Sequence, residues 1–357
     1  MGTNKTFKIL TVTLIMQWAF IQIIAQYPYF IEKYYSNGIY LFISKFLRLL
    51  FGWLPISVGD LLYILLIGYL IKRIYTILKN RKLCLKNTLF KIGAFLAIIF
   101  FVFHMNWGLN YFRLPLHQTL KIENKPYTTD QLFEFTNSLI IKTNFIHASI
   151  AKSDTIMVDN SLSRNEIKAI AHTAYEQLQI NYPQFTYSIP AVKHSLFSLP
   201  LTYMGFAGYL NPITNEAQAN YLIPKNSYPA TLCHEIAHQT GIASESEANF
   251  VGYLAAIHSK DNYFNYSGYA MALRYCLFEL YRKDPDKFEI LKLKLNKGIL
   301  KDIQYSQNFW KSYQNWSEKY FKSFYDLFLK ANKQKDGIKG YNKMVVLLIN
   351  YYKNQEL

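Results

Sequence analysis

Three long apolar stretches dominate the N-terminal third of the chain. Residues 9–26, 58–78 and 92–110 each hold enough apolar side chains for a helix that crosses a lipid bilayer. Between the first two stretches, residues 40–53 mix basic side chains with Leu and Phe, a pattern typical of an amphipathic helix at a membrane interface. We therefore expect residues 1–112 to form a membrane anchor with three transmembrane helices.

The remaining residues, 113–357, have the pattern of a domain outside the bilayer. Residues 128–142 and 163–182 show helical periodicity, whereas Pro and Gly break residues 185–223 into short strands and loops. Further helices are predicted over residues 245–259, 269–282, 288–297, 302–333 and 341–353. The predicted fold class is α+β and mostly helical, with three N-terminal transmembrane helices, a small sheet and a helical C-terminal part.

The segment 72–91, which covers the end of the second apolar stretch and the loop to the third, determines the predicted topology. It contains seven basic residues and no acidic one: Lys72, Arg73, Lys79, Arg81, Lys82, Lys86 and Lys91. By the positive-inside rule this loop and the N-terminus are cytoplasmic, so the domain is extracytoplasmic or periplasmic and the membrane is the cytoplasmic one. The alternative is that one stretch is a buried helix, which would place the domain in the cytoplasm.

The charge and cysteine content of the chain indicate which binding partners and sites to expect. The net charge of +16 comes mostly from lysine, without an arginine-rich stripe, and much of it flanks the apolar stretches. We therefore expect the lipid bilayer, and no nucleic acid, as the partner of this charge. The three cysteines, Cys84, Cys233 and Cys276, form no C-x-x-C pair, which argues against a cysteine zinc site and a disulfide framework. A bridge between Cys233 and Cys276 remains open.

The main chemical signal is a short motif in which His234 and His238 flank Glu235 as H-E-x-x-H. Side chains four apart share one face of a helix, so both imidazoles can reach one Zn²⁺ ion, while Glu235 can act as a general base. The surrounding residues predict an almost uncharged helix over about 229–240, ended by Gly241. The alternative is two histidines that only form hydrogen bonds.

A catalytic zinc site needs a third protein ligand, and the next helix, about 245–259, offers two carboxylates. We favour Glu245, because Asn249 lies on the same helical face and could orient it. Glu247 is the alternative ligand. However, Ser244 and Glu247 also match a capping box, which would give Glu247 a structural role.

Two further elements are candidates for substrate contacts. Residues 217–223 predict an apolar strand just before the motif helix, and a peptide could add to its edge. The proposed contacts are Ala217, Gln218, Ala219, Asn220 and Tyr221, and the alternative is an ordinary strand of the sheet. Tyr266 and Tyr269, in a predicted loop over 265–269, are possible oxyanion donors, with core packing as the alternative.

Several segments together resemble an uncharacterised bacterial family of membrane-anchored, zincin-like proteins. They are the Asn106–Arg113 junction, Thr214–Ala217, Cys233–Gly241 and Glu245–Phe250, in addition to the three apolar stretches. The last segment, E-x-x-A-N, is similar to the glutamate helix of gluzincin peptidases. That resemblance implies Zn²⁺ bound by Glu245, with Asn249 where many relatives have Asp.

The expected function is therefore a membrane-anchored zinc metallopeptidase that acts on a peptide or protein. Glu235 would be the catalytic base, and His234, His238 and Glu245 would bind the metal. One alternative is a non-catalytic zinc-binding sensor or scaffold, against which the presence of Glu235 argues. Another is a structural membrane protein in which the motif is accidental.

Overall fold

The computed structural model describes residues 5–80, 85–332, 334 and 341–357. This part of the chain is mostly helical, at 72%, with one small sheet, in agreement with the predicted balance of elements. Arg81 and Lys82 of the basic loop, Cys84, and the predicted helix end at Lys333 lie outside the described residues.

The elements follow one another in an order that places the sheet just before the motif helix. The helices are α1 (Lys5–Ile24), α2 (Pro28–Phe30), α3 (Tyr40–Phe51), α4 (Val58–Asn80), α5 (Leu85–Asn106), α6 (Leu116–Thr119), α7 (Thr129–Ala151), α8 (Arg164–Asn181), α9 (Ser198–Met204), α10 (Tyr228–Gln239), α11 (Glu245–His258), α12 (Asn262–Lys283), α13 (Pro285–Lys292), α14 (Lys297–Ser312), α15 (Glu318–Ala331) and α16 (Tyr341–Tyr351). The strands are β1 (Val192–His194), β2 (Gly208–Leu210) and β3 (Ala217–Ala219). A π-helical segment covers Ile31–Ile39, and 3-10 turns cover Gly108–Phe112, Pro183–Phe185 and Tyr352–Asn354.

Among the described residues, three helices are long and apolar enough to cross a membrane: Lys5–Ile24, Val58–Lys79 and Leu85–Asn106. They coincide with the three predicted stretches, although α5 begins and ends earlier than the predicted 92–110. α1 and α5 pack closely, since a Cβ at Gly93 would lie 2.5 Å from the Thr11 side chain. In contrast, no part of the apolar window of α4 is buried within the protein.

The amphipathic helix predicted between the first two apolar stretches is present as α3, with its polar face turned inward. Tyr40, Ser44 and Arg48 are buried against the rest of the protein. Its exposed face carries Leu41, Phe42, Phe46, Leu49 and Leu50. An apolar outer face is the arrangement expected of a helix that lies against lipid.

The sheet has the order β1-β3-β2, with β1 parallel and β2 antiparallel to β3. The prediction that residues 217–221 form an exposed edge for substrate is therefore wrong. β3 is the central strand, both of its sides are paired, and Ala217, Gln218 and Ala219 are fully buried. Asn220 and Tyr221 follow the strand and are not part of it. The strand beside the motif helix with a free edge is β2.

Several helix bounds differ from the prediction, and two of the differences have a clear structural cause. The stretch 302–333 contains two helices, because α14 ends at Ser312 and the Asn315 side chain accepts hydrogen bonds from the backbone N–H and hydroxyl of Ser317. The predicted loop over 265–269 is part of α12. Gly268 is there for close packing and not for a turn, since a Cβ at this position would lie 2.9 Å from Cβ of Ala256.

The core of the domain is formed by α10, α11 and α12, covered by α7, α8 and α16. α11 crosses α10 at Gly252, where a Cβ would lie 2.8 Å from the backbone N of His234. A glycine is required at this crossing because any side chain would separate the two helices. Cys233 and Cys276 are both buried in this core as free thiols, so the bridge between them is not formed.

Candidate metal centre

The motif helix α10 presents two imidazoles on one face and ends in a turn that fixes one of them. Gly241 adopts φ +90°, a conformation that favours glycine, and terminates the helix as predicted. This turn brings the carbonyl of Ile242 to 2.7 Å from Nδ1 of His238. A carbonyl only accepts, so Nδ1 carries the proton and donates it, which leaves Nε2 of His238 as a free lone pair.

Three side chains converge at this face. Nε2 of His234 lies 3.1 Å from Nε2 of His238. The carboxylate of Glu245, from the first turn of α11, lies 3.4 Å from Nε2 of His234 and 3.7 Å from Nε2 of His238. The potential ligand atoms of the three residues all lie within 4.8 Å of one another. We call these three residues the HHE cluster.

The donor set of the HHE cluster fits a zinc ion. Tetrahedral ligands at roughly 2.0–2.2 Å from zinc are about 3.3–3.6 Å apart, and the three measured separations bracket that range. Two imidazoles and one carboxylate are ligands that zinc accepts at catalytic sites, with one position left for water or substrate. The residues present therefore match such an ion in both number and chemistry.

The protonation states follow from burial and from mutual charge. Burial would raise the pKa of Glu245, but the imidazoles of His238 and His234 lower it to about 2. Burial lowers the pKa of His238 to about 4. Burial lowers the pKa of His234, but the hydrogen bond and charge of Glu245, together with Glu235 and Asn249, raise it. The net effect is a raised pKa for His234. The carboxylate is thus held as an anion at the cluster.

Glu245 has a hydrogen-bond partner that the sequence did not indicate. The hydroxyl of Tyr325, from α15, donates to Oε1 of Glu245 at 2.5 Å. Asn249 was expected to orient Glu245. Its amide instead donates to the hydroxyl of Tyr275 at 2.9 Å, and its hydrogen bond with His234 helps to raise the pKa of that imidazole. Nothing in the spacing could have linked Tyr325 to Glu245, because 80 residues separate them.

Glu247, the alternative ligand, points away from the cluster. Its Oε1 accepts a hydrogen bond of 2.7 Å from the backbone N–H of Leu116, at the start of α6. The predicted capping box with Ser244 is wrong, since the Ser244 side chain makes no cap hydrogen bond. The carboxylate caps a different helix because the N-terminal N–H groups of α6 also need an acceptor.

Glu235 lies beside the HHE cluster in a space left by a glycine. A Cβ at Gly208 of β2 would be only 2.5 Å from Oε1 of Glu235, so only glycine fits there. Oε2 of Glu235 is buried and has no hydrogen-bond partner among the described residues. Burial raises the pKa of Glu235 to about 8. A carboxyl in this state can both accept and return a proton near neutral pH.

The last carbonyls of α10 are capped by side chains from the region before residue 114. The Tyr40 hydroxyl donates to the Gln239 carbonyl at 3.0 Å, and Arg48 donates to the same carbonyl at 3.2 Å. The Trp107 indole donates to the carbonyl of His238 at 3.3 Å. Arg113 donates to the Gly241 carbonyl at 2.9 Å and forms a buried ion pair of 2.6 Å with Glu32.

A cavity of about 1540 Å³ opens onto the HHE cluster, and Glu235, Arg274 and Tyr325 line it as well. Neither Tyr266 nor Tyr269 lines this cavity, so the prediction that they are oxyanion donors is wrong. The Tyr266 hydroxyl donates to Asp302 at 2.5 Å, and the ring of Tyr269 packs against that of Tyr253. Both face the core because α12 extends through the predicted loop.

The fold and the site define a mostly helical protein with three apolar helices and a His–His–Glu cluster beside a buried glutamate. The chain belongs to the family described as "Protein of unknown function (DUF3810)", whose profile matches residues 35–349. The match begins within the π-helical segment and so includes α3, α4 and α5 together with the domain. No curated protein and no solved structure matches the chain.

Proposed function

We propose that this protein is a membrane-anchored zinc metallopeptidase with a zincin-like domain. One observation carries the proposal: the ligand atoms of His234, His238 and Glu245 lie 3.1–3.7 Å apart, with the carboxyl of Glu235 beside them. A purely structural metal site has no need of an adjacent carboxyl with an unpaired oxygen. A hydrolytic site requires one as a general base.

In this proposal, His234, His238 and Glu245 hold the metal. A bound zinc ion supplies a water of lowered pKa, about 7, and polarises the scissile carbonyl. Glu235 accepts one proton of the attacking water and returns it to the leaving nitrogen. The hydroxyl of the water is then bonded to the carbonyl carbon, the C–N bond is broken, and the products are a carboxylic acid and an amine. Tyr325 holds Glu245 in place through its hydroxyl.

The edge strand β2 is the element best placed to bind the substrate backbone. Gly208, Tyr209 and Leu210 line the same cavity as Glu235. The hydroxyl of Tyr209 donates a hydrogen bond to Asp60, so β2 is fixed to the N-terminal end of α4. An extended peptide that adds to β2 would pass directly in front of Glu235.

The basic segment between α4 and α5 supports the proposed topology, in which the N-terminus is cytoplasmic and the domain is extracytoplasmic in the cytoplasmic membrane. The partners are then the lipid bilayer and a peptide or protein substrate. Labelling of single added cysteines from either side of intact cells would test this orientation.

The decisive experiment uses the full-length protein in lipid nanodiscs. We expect stoichiometric zinc by elemental analysis and cleavage within a broad peptide library. Glu235→Gln should keep the zinc and lose about 10²–10⁴-fold in rate, because only the proton-transfer group is removed. Glu134→Gln, an exposed glutamate on α7, is the matched control and should behave as wild type.

Two results would overturn the proposal. Zinc without any cleavage, in wild type and Glu235→Gln alike, would point to a binding or sensor protein. Purified protein that takes up no zinc would show that the HHE cluster does not serve a metal.

A further inference from the structure

The cavity at the HHE cluster continues along the apolar helices. Besides the site residues, its lining includes Leu14 and Trp18 of α1, Leu66 of α4, and Phe95, Ile99 and Phe103 of α5. We call these six residues the membrane groove. The catalytic site and the membrane groove are therefore parts of one continuous space.

The membrane groove is about one leaflet deep. Trp107, which directly follows α5 at the cluster, comes twelve positions after Phe95, and this corresponds to about 18 Å at 1.5 Å per residue. Half of a bilayer core is about 15 Å. The lining residues of α1 and α4 also lie in the halves nearer the domain, since residues 5–13 of α1 and 67–80 of α4 do not line the cavity.

The membrane groove is open towards lipid. α1 and α5 form a packed pair, whereas no part of the apolar window of α4 is buried in the protein. Trp18 is 57% exposed, and Phe95 and Ile99 are 38% and 39% exposed. A molecule that diffuses in the leaflet can therefore reach the membrane groove from the side.

The membrane groove meets the HHE cluster at Trp107, at the end of the groove nearer the domain. The indole N–H of Trp107 donates to the His238 carbonyl, and the ring centre of Trp107 lies 5.9 Å from that of the His238 imidazole. An apolar chain in the membrane groove would thus end where the polar chemistry begins. The free edge of β2 borders the same space.

We propose that the substrate is a polypeptide with an acyl anchor in the leaflet next to the domain. The acyl chain would lie in the membrane groove, and the polypeptide beside the anchor would extend along β2 to Glu235. This inference rests on the proposed peptidase function and names its substrate class.

The dimensions favour an acyl chain over a transmembrane substrate helix. A helix of about 20 residues would cross both leaflets and would need contacts along the whole length of α1, α4 and α5. The membrane groove has lining residues in one leaflet only. A plain phospholipid would fill the membrane groove but leave the edge of β2 without a partner, whereas an acylated peptide satisfies both parts of the cavity.

The test uses a binding readout that does not require turnover. The probe is a pool of short peptides carrying an N-terminal palmitoyl chain with a diazirine, added to full-length Glu235→Gln protein in nanodiscs. We expect photolabels at residues 14–22, 63–66 and 95–103. Palmitoylated peptide without the diazirine should compete for them, and the same peptide without the acyl chain should not.

A matched pair of variants gives the second arm. Ile99 lines the membrane groove, while its neighbour Ile98 is 52% exposed at the same depth and does not line the cavity. Ile99→Trp should reduce labelling about tenfold or more, as expected from lost contact with about two methylene groups. Ile98→Trp should label as the parent does. Neither variant should change zinc content.

The remaining outcomes separate this inference from the proposed function. Equal labelling by a diazirine phospholipid, or labelling of both leaflet halves by a transmembrane peptide, would overturn the acyl-peptide assignment. Zinc-dependent cleavage of unacylated and palmitoylated peptides at equal rates, with Ile99→Trp changing neither rate, would overturn it too, while the peptidase proposal stands. Specific groove labelling in a protein that cleaves nothing would support the acyl-peptide site and overturn the peptidase.

Discussion

The helix pair α10–α11 and the region before residue 114 contribute to the same site in different ways. The pair supplies all three residues of the HHE cluster from a short stretch of sequence, His234 to Glu245. The earlier region supplies no residue of the cluster but caps the end of α10, through contacts such as Tyr40 to His238 that span 198 residues. The residues of the HHE cluster therefore lie close together in the sequence, whereas the residues that cap the end of α10 lie far from them in the sequence.

The comparison also changes how the region before residue 114 is understood. An anchor that only tethers a domain needs no buried polar contact with it. Here the buried Arg48 donates to the Gln239 carbonyl, and Arg113, which is paired with Glu32, donates to the Gly241 carbonyl. Glu216 accepts from the backbone N–H of Gly59 at 2.7 Å. We infer that the domain and the segment from the π-helix to α4 fold as one unit, in agreement with the extent of the family match.

The largest expected effect concerns the two glutamates of α11, which are two residues apart. Glu245→Gln should weaken zinc binding on the order of 1000-fold, because a full structural set provides roughly 10–16 kcal/mol over four ligands. Glu247→Gln should bind zinc like the wild type, since its carboxylate caps α6. Chelator competition on the full-length protein measures both. The reverse ranking would show that Glu247 is the ligand.

The second prediction tests the region before residue 114 through its buried ion pair. The side chains of Glu32 and Arg113 are 9% and 11% exposed. Glu32→Gln leaves a buried guanidinium without its counter-charge and should cost about 3–5 kcal/mol, or roughly 6–20 °C in Tm. Glu123→Gln, which breaks the exposed pairs with Lys125 and Lys353, should shift Tm much less, because exposed ion pairs contribute little to stability.

Thermal unfolding in nanodiscs compares these two variants directly. Equal shifts for Glu32→Gln and Glu123→Gln would mean that the ion pair, which positions Arg113 at the Gly241 carbonyl, does not stabilise the contact between the region before residue 114 and α10. The zinc affinity of the folded Glu32→Gln protein should stay close to that of the wild type, because no ligand is altered.

The helix pair could be predicted because its information lies in spacing. Residues 234 and 238 share a face on any helix, and Gly241 with the following carboxylates narrows the third member of the HHE cluster to Glu245 or Glu247. The three apolar helices could be predicted from length and composition for the same reason. Each of these features depends on residues close together in the chain.

The remaining features depend on packing between distant segments. The strands have only three residues each, too few for periodicity to tell the central β3 from the edge strand β2. Gly268 was interpreted as a loop residue, although it serves the crossing of α12 over α11. Tyr325 lies in the stretch 302–333, for which periodicity predicts only a helix, and the tertiary fold brings it to Glu245.

The third prediction concerns Tyr325 of α15, whose hydroxyl donates a hydrogen bond to Glu245 of the HHE cluster. Tyr325→Phe removes that hydroxyl while keeping the ring, and should weaken zinc binding about 10–100-fold, the usual effect of losing a group that orients a ligand. Tyr320→Phe, on the same helix and 59% exposed, is the control. Unchanged zinc affinity in Tyr325→Phe would mean that the carboxylate is held without it.

The smallest expected effect comes from a single cap on α10. The hydroxyl of Tyr40 donates to the Gln239 carbonyl at 3.0 Å and accepts from Asn215 at 3.1 Å, in a fully buried position. Tyr40→Phe leaves these groups without that partner and should cost about 1–3 kcal/mol, or roughly 2–12 °C in Tm. Tyr34→Phe, at a half-exposed tyrosine of the π-helical segment that precedes α3, should stay within about 0.5 kcal/mol. A shift in Tyr40→Phe no larger than in Tyr34→Phe would show that α10 keeps its end without help from the membrane region, and the contrast between local ligands and distant support would fail.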